Sequence, residues 1–384
     1  MVGGGPAGLI AAINAASFAD IVLFEEHHSF GQPTHCGGLV STDAFEKLAI
    51  RMMDDVVLNK IRGLVFHSPS DLKLEVDGGR PCAQVIDRPL FDRHLAEIAE
   101  DGGCRLIHGR VLDLKQNGDS VSADAGGEHK VTASIAIDAE GLGRRLATSV
   151  GLDARIGEAI PAVQLTMRCR EVDPSFAHIF LGESYGDFMA YTIPIDEHTA
   201  RVGCATRRSD PAKVCEKVCG RAYGGGGVTV RSSRWAVWTR GPLKRTRIGR
   251  ILLVGDAAGH TKPTTGGGVV FGGLMARMAG NAAGRCAATH GEWPLNAMVE
   301  ESRVIARSMA RMLIARKVLS TLSDRTLDEG IGLLRNKKDG LGKILRSTDF
   351  DFHEGVPLEM AASVALTKIP LMLLLDIMTR GMLN

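Results

Sequence analysis

The sequence predicts an α/β protein, α+β overall: a Rossmann-type nucleotide-binding domain, an inserted antiparallel-sheet domain and a C-terminal helical region. Three observations predict it. The chain opens on Gly3, Gly5 and Gly8 in G-x-G-x-x-G spacing, followed by an alanine-rich stretch and an apolar strand that ends in an acid. Far downstream the apolar run 251–254 ends in Gly255-Asp256 and leads through Gly266, Gly267 and Gly268 into a small-residue helical segment. Between them, residues 156–244 alternate as antiparallel strands do. The expected division is 1–55, 82–155 and 245–290 for the nucleotide domain, 56–81 and 156–244 for the inserted domain, and 291–384 for the helical region.

Composition narrows the function. The 384 residues are 45% hydrophobic, enough for a large core in two or three units. A net charge of +2 and 5% aromatic residues argue against nucleic-acid binding. The eight cysteines have no zinc-type pairing; Cys215 and Cys219 share one helix face, which points to packing. No secretory signal opens the sequence, so reduced thiols and a cytoplasmic setting are expected. No apolar run is long enough to span a bilayer.

In chain order, residues 9–16 continue the fingerprint as a helix, and 21–24 form a strand ending at Glu25, the acid placed for ribose hydroxyls. Glu26 is the rival, on the opposite side of the strand. Only Met1 and Val2 precede Gly3, where a full strand is needed. A truncated or misassigned start is the first expectation, and a two-residue remnant in that role the second. Residues 28–41 read as an irregular loop around Pro33, Cys36, Gly37 and Gly38. On residue type alone Cys36 is as readily a small buried hydrophobe as a functional thiol. His27, His28 and His35 lack helical spacing and a matching carboxylate, so no metal site is expected. Residues 50–81 suggest antiparallel strands.

Asp87 caps a helix with Pro89 in its first turn and Leu90, Phe91, Leu95 and Ile98 on its apolar face. Arg88 at that helix start opposes the dipole unless it holds an anion such as a phosphate. Strands follow from Val111-Leu112, over 121–125 and over 133–137, the last ending in Asp138-Ala139-Glu140-Gly141. Asp256 ends the late strand. Its carboxylate suits hydroxyl groups, and the glycines and helix start after it suit a phosphate or sugar. From about 290 the chain is helical, with Lys337, Lys338 and Arg346 as surface charges. The run 369–375, ended by Asp376, is a buried helix on the first reading and a membrane-surface contact on the second.

One fingerprint with a distant acid-glycine motif is the pattern of a long dinucleotide spanning the domain. On Gly3 to Gly8, Glu25, the PTHCGG stretch at 33–38, Arg88 with Phe91-Asp92, and GDAAGHTKPTTGGG at 255–268, the sequence resembles the FAD-dependent geranylgeranyl reductases (digeranylgeranylglycerophospholipid reductase-like), within the p-hydroxybenzoate hydroxylase-type flavoproteins. The resemblance covers roughly residues 1–290. It implies FAD as cofactor, with Gly3, Gly5, Ala7 and Gly8 on the pyrophosphate and Glu25 on the adenosine ribose. It also implies Arg88 at the phosphate or ribityl region, Val111 at adenine and Asp256 on the ribityl chain. Gly267, Gly268 and Val269 would lie at the flavin pyrimidine, and Cys36 and Gly37 beside the isoalloxazine, with Cys36 the candidate catalytic residue.

The implied reaction is reduction of carbon–carbon double bonds in geranylgeranyl chains of archaeal-type isoprenoid lipids, fed by NAD(P)H or ferredoxin, at a cytoplasmic location with peripheral membrane contact. A greasy tunnel is expected, walled by residues 188–194, Leu165 and Met167. Where the family commonly carries a tyrosine-tryptophan-phenylalanine-proline pattern, the corresponding stretch here is Met189-Ala190-Tyr191-Thr192-Ile193-Pro194, so only the proline and one aromatic survive. The third acid turn also departs from the family's alanine-aspartate-glycine. A flavin monooxygenase and an inactive FAD-binding remnant are the alternatives.

Overall fold

A computed structural model describes residues 1–353 except 127–128, 153–156, 187, 226, 336–337 and 348. The run 369–375 with Asp376, and Lys337, lie outside the described residues.

The nucleotide-binding region is built around a parallel sheet whose central slot is filled by Met1 and Val2. Val22–Glu25 pairs in parallel with Arg105–His108, and Ala136–Asp138 with Ile251–Leu253, with the short antiparallel Arg247–Ile248 beyond. Val2 bridges the two halves in parallel, to Phe24 on one side and Asp138 on the other. Its amide donates to the Ile137 carbonyl at 2.9 Å, its carbonyl accepts from Ala139 at 2.8 Å, and the Gly3 amide donates to Phe24 at 2.8 Å. The two residues ahead of the fingerprint thus do the work of the missing strand, because a slot with partners on both sides satisfies the backbone in very few residues.

Two strand expectations need correction. Residues 133–137 are not one strand: Lys130–Ala133 belongs to an antiparallel ribbon with Ser120–Asp124 and Asp113–Asn117, while Ala136–Asp138 enters the parallel sheet. A continuous alternating pattern hid the corner between them. The strand expected from Val111 begins at Asp113.

The fingerprint helix Pro6–Ala15 packs on the long helix Val269–Thr289. The approach is close: a Cβ on Gly280 would lie 2.2 Å from the Ala11 carbonyl oxygen, and one on Gly284 2.9 Å from that of Ala15. The glycines of the late helix are therefore a packing surface. Helix Arg88–Asp101 closes the same core with Phe91 and Leu95, its first turn capped by Asp87, which accepts from the Leu90 amide at 3.0 Å.

A second, seven-stranded sheet runs in the order 228–237, 160–168, 199–205, 190–194, 176–180, 63–67, 73–77, antiparallel except where Phe176–Phe180 meets Gly63–His67. Residues 63–77 thus join strands more than 80 positions later in the chain. Helix Pro211–Tyr223 covers one face, where Val163, Leu165, Met167, Cys215 and Cys219 pack together. The expected packing role of Cys215 and Cys219 holds. A small antiparallel sheet of Leu39–Ser41, Ala83–Ile86 and Val57–Ile61 lies at the junction.

Helix Trp293–Thr321 lies on Val269–Thr289 through Ile305, Met309 and Met312. Asp324–Arg335 and Lys338–Ser347 pack against Lys73–Asp77, with Leu74, Val76, Ile331, Leu334 and Leu341 buried together. Among the described residues no helix is long and apolar enough to cross a membrane.

Candidate functional site

A cleft of about 490 Å³ opens at the ends of the parallel strands and runs to the edge of the seven-stranded sheet. The expected residues Gly3, Gly5, Ala7, Glu25, Cys36, Arg88, Val111, Asp256, Gly268 and Val269 all line it. Gly8, Gly37 and Gly267 do not, and each has a packing reason. A Cβ on Gly8 would stand 1.9 Å from the Gly3 carbonyl oxygen, one on Gly37 2.9 Å from Ile193 Cδ1, and one on Gly267 2.7 Å from Lys262 Cε.

At the fingerprint end, Gly3 turns the chain out of the sheet at φ +91°, with Ala139 O 2.4 Å from where a Cβ would sit. Gly5 has nothing within 4 Å of its absent Cβ, so the backbone there is bare toward the cleft. The helix beginning at Pro6 has no side-chain cap. A bare backbone at an uncapped helix start suits a phosphate. Glu25 is nearly buried. Its Oε2 accepts from the Gly4 amide at 2.5 Å, and its Oε1 from the amide and Nδ1 of His27 at 2.8 and 2.6 Å. Glu26, expected on the opposite side, also lines the cleft and pairs with Arg110, 3.2 Å off.

Arg88 meets a carboxylate that the sequence reading did not give it. Its Nε and Nη2 donate to Asp92 at 3.0 and 2.8 Å in a bidentate pair one helical turn on. The anion opposing its position at the helix start is thus partly internal, and the guanidinium still faces the cleft. The Val111 carbonyl accepts from Arg145 Nη2. The third acid turn is structural: Glu140 Oε1 accepts from the Leu146 and Ala147 amides at 2.7 and 3.2 Å, capping a short helix. Asp138 is buried beneath it; burial and the Glu140 charge push its carboxyl up to about 8.

At the other end Asp256 follows Gly255, which sits at φ +62° and so close to Ala7 that a Cβ there would lie 2.7 Å from the Ala7 Cβ. Burial pushes the Asp256 carboxyl up, opposed by Arg144 and Arg88. Arg144, which sequence reasoning missed, is fully buried. It donates to the Asp256 carbonyl at 2.8 and 3.2 Å and lies 3.9 Å from the Trp238 ring centroid. The glycine-rich loop is tied down by Lys262, whose amide donates to Gly267 O at 3.0 Å and whose ammonium donates to Asp351 at 2.6 Å. The Thr264 hydroxyl and His353 Nε2 are 2.7 Å apart. The loop delivers Gly268 as the N-cap of Val269–Thr289, and no side chain caps this helix either.

Cys36 lines the same cleft. Its sulfur accepts from the Gly38 amide at 3.3 Å, and Arg88 reaches it as well. Its carbonyl accepts from Gln164 Nε2 at 3.2 Å, and Gln164 Oε1 accepts from the Tyr191 hydroxyl at 3.0 Å. Burial pushes the Tyr191 hydroxyl up above its ordinary range, so it stays protonated and donates this bond. Arg201 holds the same loop through the Gly37 and Ile86 carbonyls at 2.9 and 3.0 Å.

The expected tunnel wall needs one correction. Leu165 and Met167 face helix Pro211–Tyr223, away from the cleft. Strand parity puts Ile160, Ala162 and Gln164 on the cleft side, where Ile160, Ala162 and Ala205 pack with Phe188, Trp235 and Val237. Tyr191 and Ile193 share that side next to Gly37, while Thr192 faces Tyr223. The cleft therefore has a phosphate-type end, an acid-and-helix end, and an apolar wall at the latter.

The FAD binding domain family matches residues 1–272. A digeranylgeranylglycerophospholipid reductase from Methanopyrus kandleri is 30% identical over 305 residues, covering 74% of this chain and 79% of its own. Another from Methanothermobacter thermautotrophicus is 26% identical over 355 residues, covering 88% and 91%. In fold, the chain is similar to a geranylgeranyl bacteriochlorophyll reductase-like protein from Thermoplasma acidophilum, with a TM-score of 0.82 at 21% identity over 95% and 97% of the two chains.

Proposed function

This chain belongs to the FAD-dependent geranylgeranyl reductase family, oxidoreductases built on the FAD binding domain, and from that premise we propose that it reduces carbon–carbon double bonds in geranylgeranyl chains of archaeal-type membrane lipids. The observation that carries the substrate reading is the position of the apolar wall. Trp235 and Val237 line the cleft together with Cys36 and the uncapped start of Val269–Thr289, and Phe188 packs with them. An isoprenoid double bond offers no polar handle, so a site for it needs apolar walls and few polar groups.

FAD, when bound, supplies the hydride chemistry. The chain's own residues do the rest. Gly3, Gly5 and Ala7 give backbone room to the pyrophosphate, Glu25 takes ribose hydroxyls on its remaining lone pairs, and Val111 borders the adenine. Arg88, steadied by Asp92, serves the phosphate and ribityl region, and Asp256 the ribityl hydroxyls. The amides at Gly268 and Val269 stabilise negative charge at the pyrimidine end, by ~0.3–2 kcal/mol for a charge at a helix terminus. Cys36 is held at the substrate side by Gln164 and Arg201. Gly8, Gly37 and Gly267 act one layer back, by letting neighbours pack.

In this reading 1–55, 82–155 and 245–290 hold the cofactor, 56–81 and 156–244 form the substrate side, and 291–384 support both. A single fingerprint leaves NAD(P)H as a transient visitor or ferredoxin as donor. A membrane lipid substrate calls for peripheral contact with the cytoplasmic face of a membrane.

The test is mass spectrometry of lipids from cells that make geranylgeranyl lipids, with and without this protein. A gain of two hydrogens per double bond is expected. Unchanged lipids, or a gain of oxygen, would sink the proposal.

A further inference from the structure

The helix Trp293–Thr321 buries Ile305, Met309 and Met312. At 3.6 residues per turn, Val304, Arg307, Arg311, Ile314 and Val318 fall on the opposite side. Val304 and Ile314 are 68% and 63% exposed. Residues 302–321 contain Arg303, Arg307, Arg311, Arg316 and Lys317 and no acid; Glu300 and Glu301 lie just before this stretch, and Glu300 is paired with Arg303 at 2.6 Å. From 304 to 318 the stripe is about 21 Å long. The same helix touches the substrate wall from its inner side. The Arg316 guanidinium lies 4.4 Å from the Phe188 ring centroid, and Phe188 lies beside Gly266 of the glycine-rich loop.

We infer that this helix docks on an anionic lipid bilayer. It lies in the interface plane with Val304, Ile314 and Val318 at the acyl boundary and Arg307 and Lys317 among lipid phosphates. Aliphatic side chains alone would suit another protein; aliphatics set in an acid-free cationic stretch suit a surface both greasy and negative. The helix then holds the mouth of the site, near Phe188, against the phase in which a prenyl lipid is dissolved. That purpose rests on the lipid-reductase reading, but the docking itself is testable without it.

The full FAD-loaded chain is floated with vesicles of phosphatidylglycerol and phosphatidylcholine, or of phosphatidylcholine alone. Flotation with the anionic vesicles and little with the neutral ones is expected. Arg307→Gln with Lys317→Gln should weaken binding about thirtyfold, at roughly 1 kcal/mol per cation near an anionic surface. Val304→Ser with Ile314→Ser should lower it too, with flavin absorbance and melting temperature unchanged, because all four side chains are exposed. Failure of the wild type to float overturns the inference, as does undiminished flotation of both variant pairs. A dimer that Val304→Ser with Ile314→Ser dissociates also overturns it, giving the face to a second copy of the chain. Normal flotation without lipid reduction would sink the reductase reading and leave the docking surface standing.

Discussion

The Lys262 ammonium donates to the Asp351 carboxylate across 2.6 Å with both side chains buried, and the other Asp351 oxygen accepts from the Ser41 amide at 3.0 Å. Burial acts to raise the Asp351 carboxyl, but Lys262 and Ser41 outweigh it and hold it below the ordinary carboxylate range. Lys262→Met strands a buried carboxylate and should cost about 3–5 kcal/mol, whereas Lys262→Met with Asp351→Leu should recover most of that. Thermal melts of the three proteins check this. An additive double variant would remove the pairing.

Gly5 and Gly8 share one motif and should fail in different ways. A side chain at Gly5 points into open cleft, so Gly5→Val should keep the fold and lose FAD. A side chain at Gly8 meets the Gly3 carbonyl, so Gly8→Ala should lower the melting temperature even without cofactor. Equal melting temperatures for the two apoproteins would contradict the division.

Asp256→Ala should weaken FAD binding by roughly 10–100-fold, the scale of a charged hydrogen bond of about 1.5–3 kcal/mol. Titration of apoprotein with FAD, followed by flavin absorbance, reads it. Undiminished affinity would take the ribityl role from this residue.

Cys36→Ser should keep FAD and lose turnover. Tyr191→Phe, which frees Gln164 without touching the cleft thiol, should lower turnover less and leave the flavin spectrum close to wild type. If Cys36→Ser turns over normally, the thiol is packing.

A buried pair in the seven-stranded sheet sets a pH dependence. His178 Nδ1 and His67 Nε2 are 2.9 Å apart, and His178 also senses Lys73 and Asp173. Burial, then His67 and Lys73, lower the His178 ring to about 4 against an ordinary 6.5, with Asp173 opposing. The unfolded chain therefore takes the proton first as pH falls. The stability from the neutral ring is complete above 6.5 and is lost progressively between 6.5 and about 4, by up to roughly 3 kcal/mol. Urea midpoints across that range should fall more steeply for the wild type than for His178→Gln; parallel curves would exclude the histidine.

Most of the cradle was legible because it is local. The Gly3–Gly8 spacing, Glu25 and the Gly255-Asp256 turn each sit in a few consecutive residues whose chemistry and spacing mark them, and the cleft is lined by Gly3, Gly5, Glu25, Gly255 and Asp256. What sequence could not give was pairing at a distance and the sidedness of a strand. Gln164 finds Cys36 across 128 positions and Arg144 finds Asp256 across 112. Leu165 and Met167 were placed on the wrong side because alternation reveals two faces without saying which one meets the cleft. The two-residue central strand was only the second expectation for the opposite reason: its hydrogen bonds come from neighbours, not from its own length.

The Lys262–Asp351 bond also orders events in time. Its partners are 89 residues apart, so on a ribosome adding 5–20 residues per second the lysine is made roughly 4–18 s before its carboxylate. Through that interval the loop that presents Gly268 has no latch, although every residue of the fingerprint is already in place. FAD capture is therefore expected to wait until Asp351 has emerged, a delay that a series of stalled nascent chains would time.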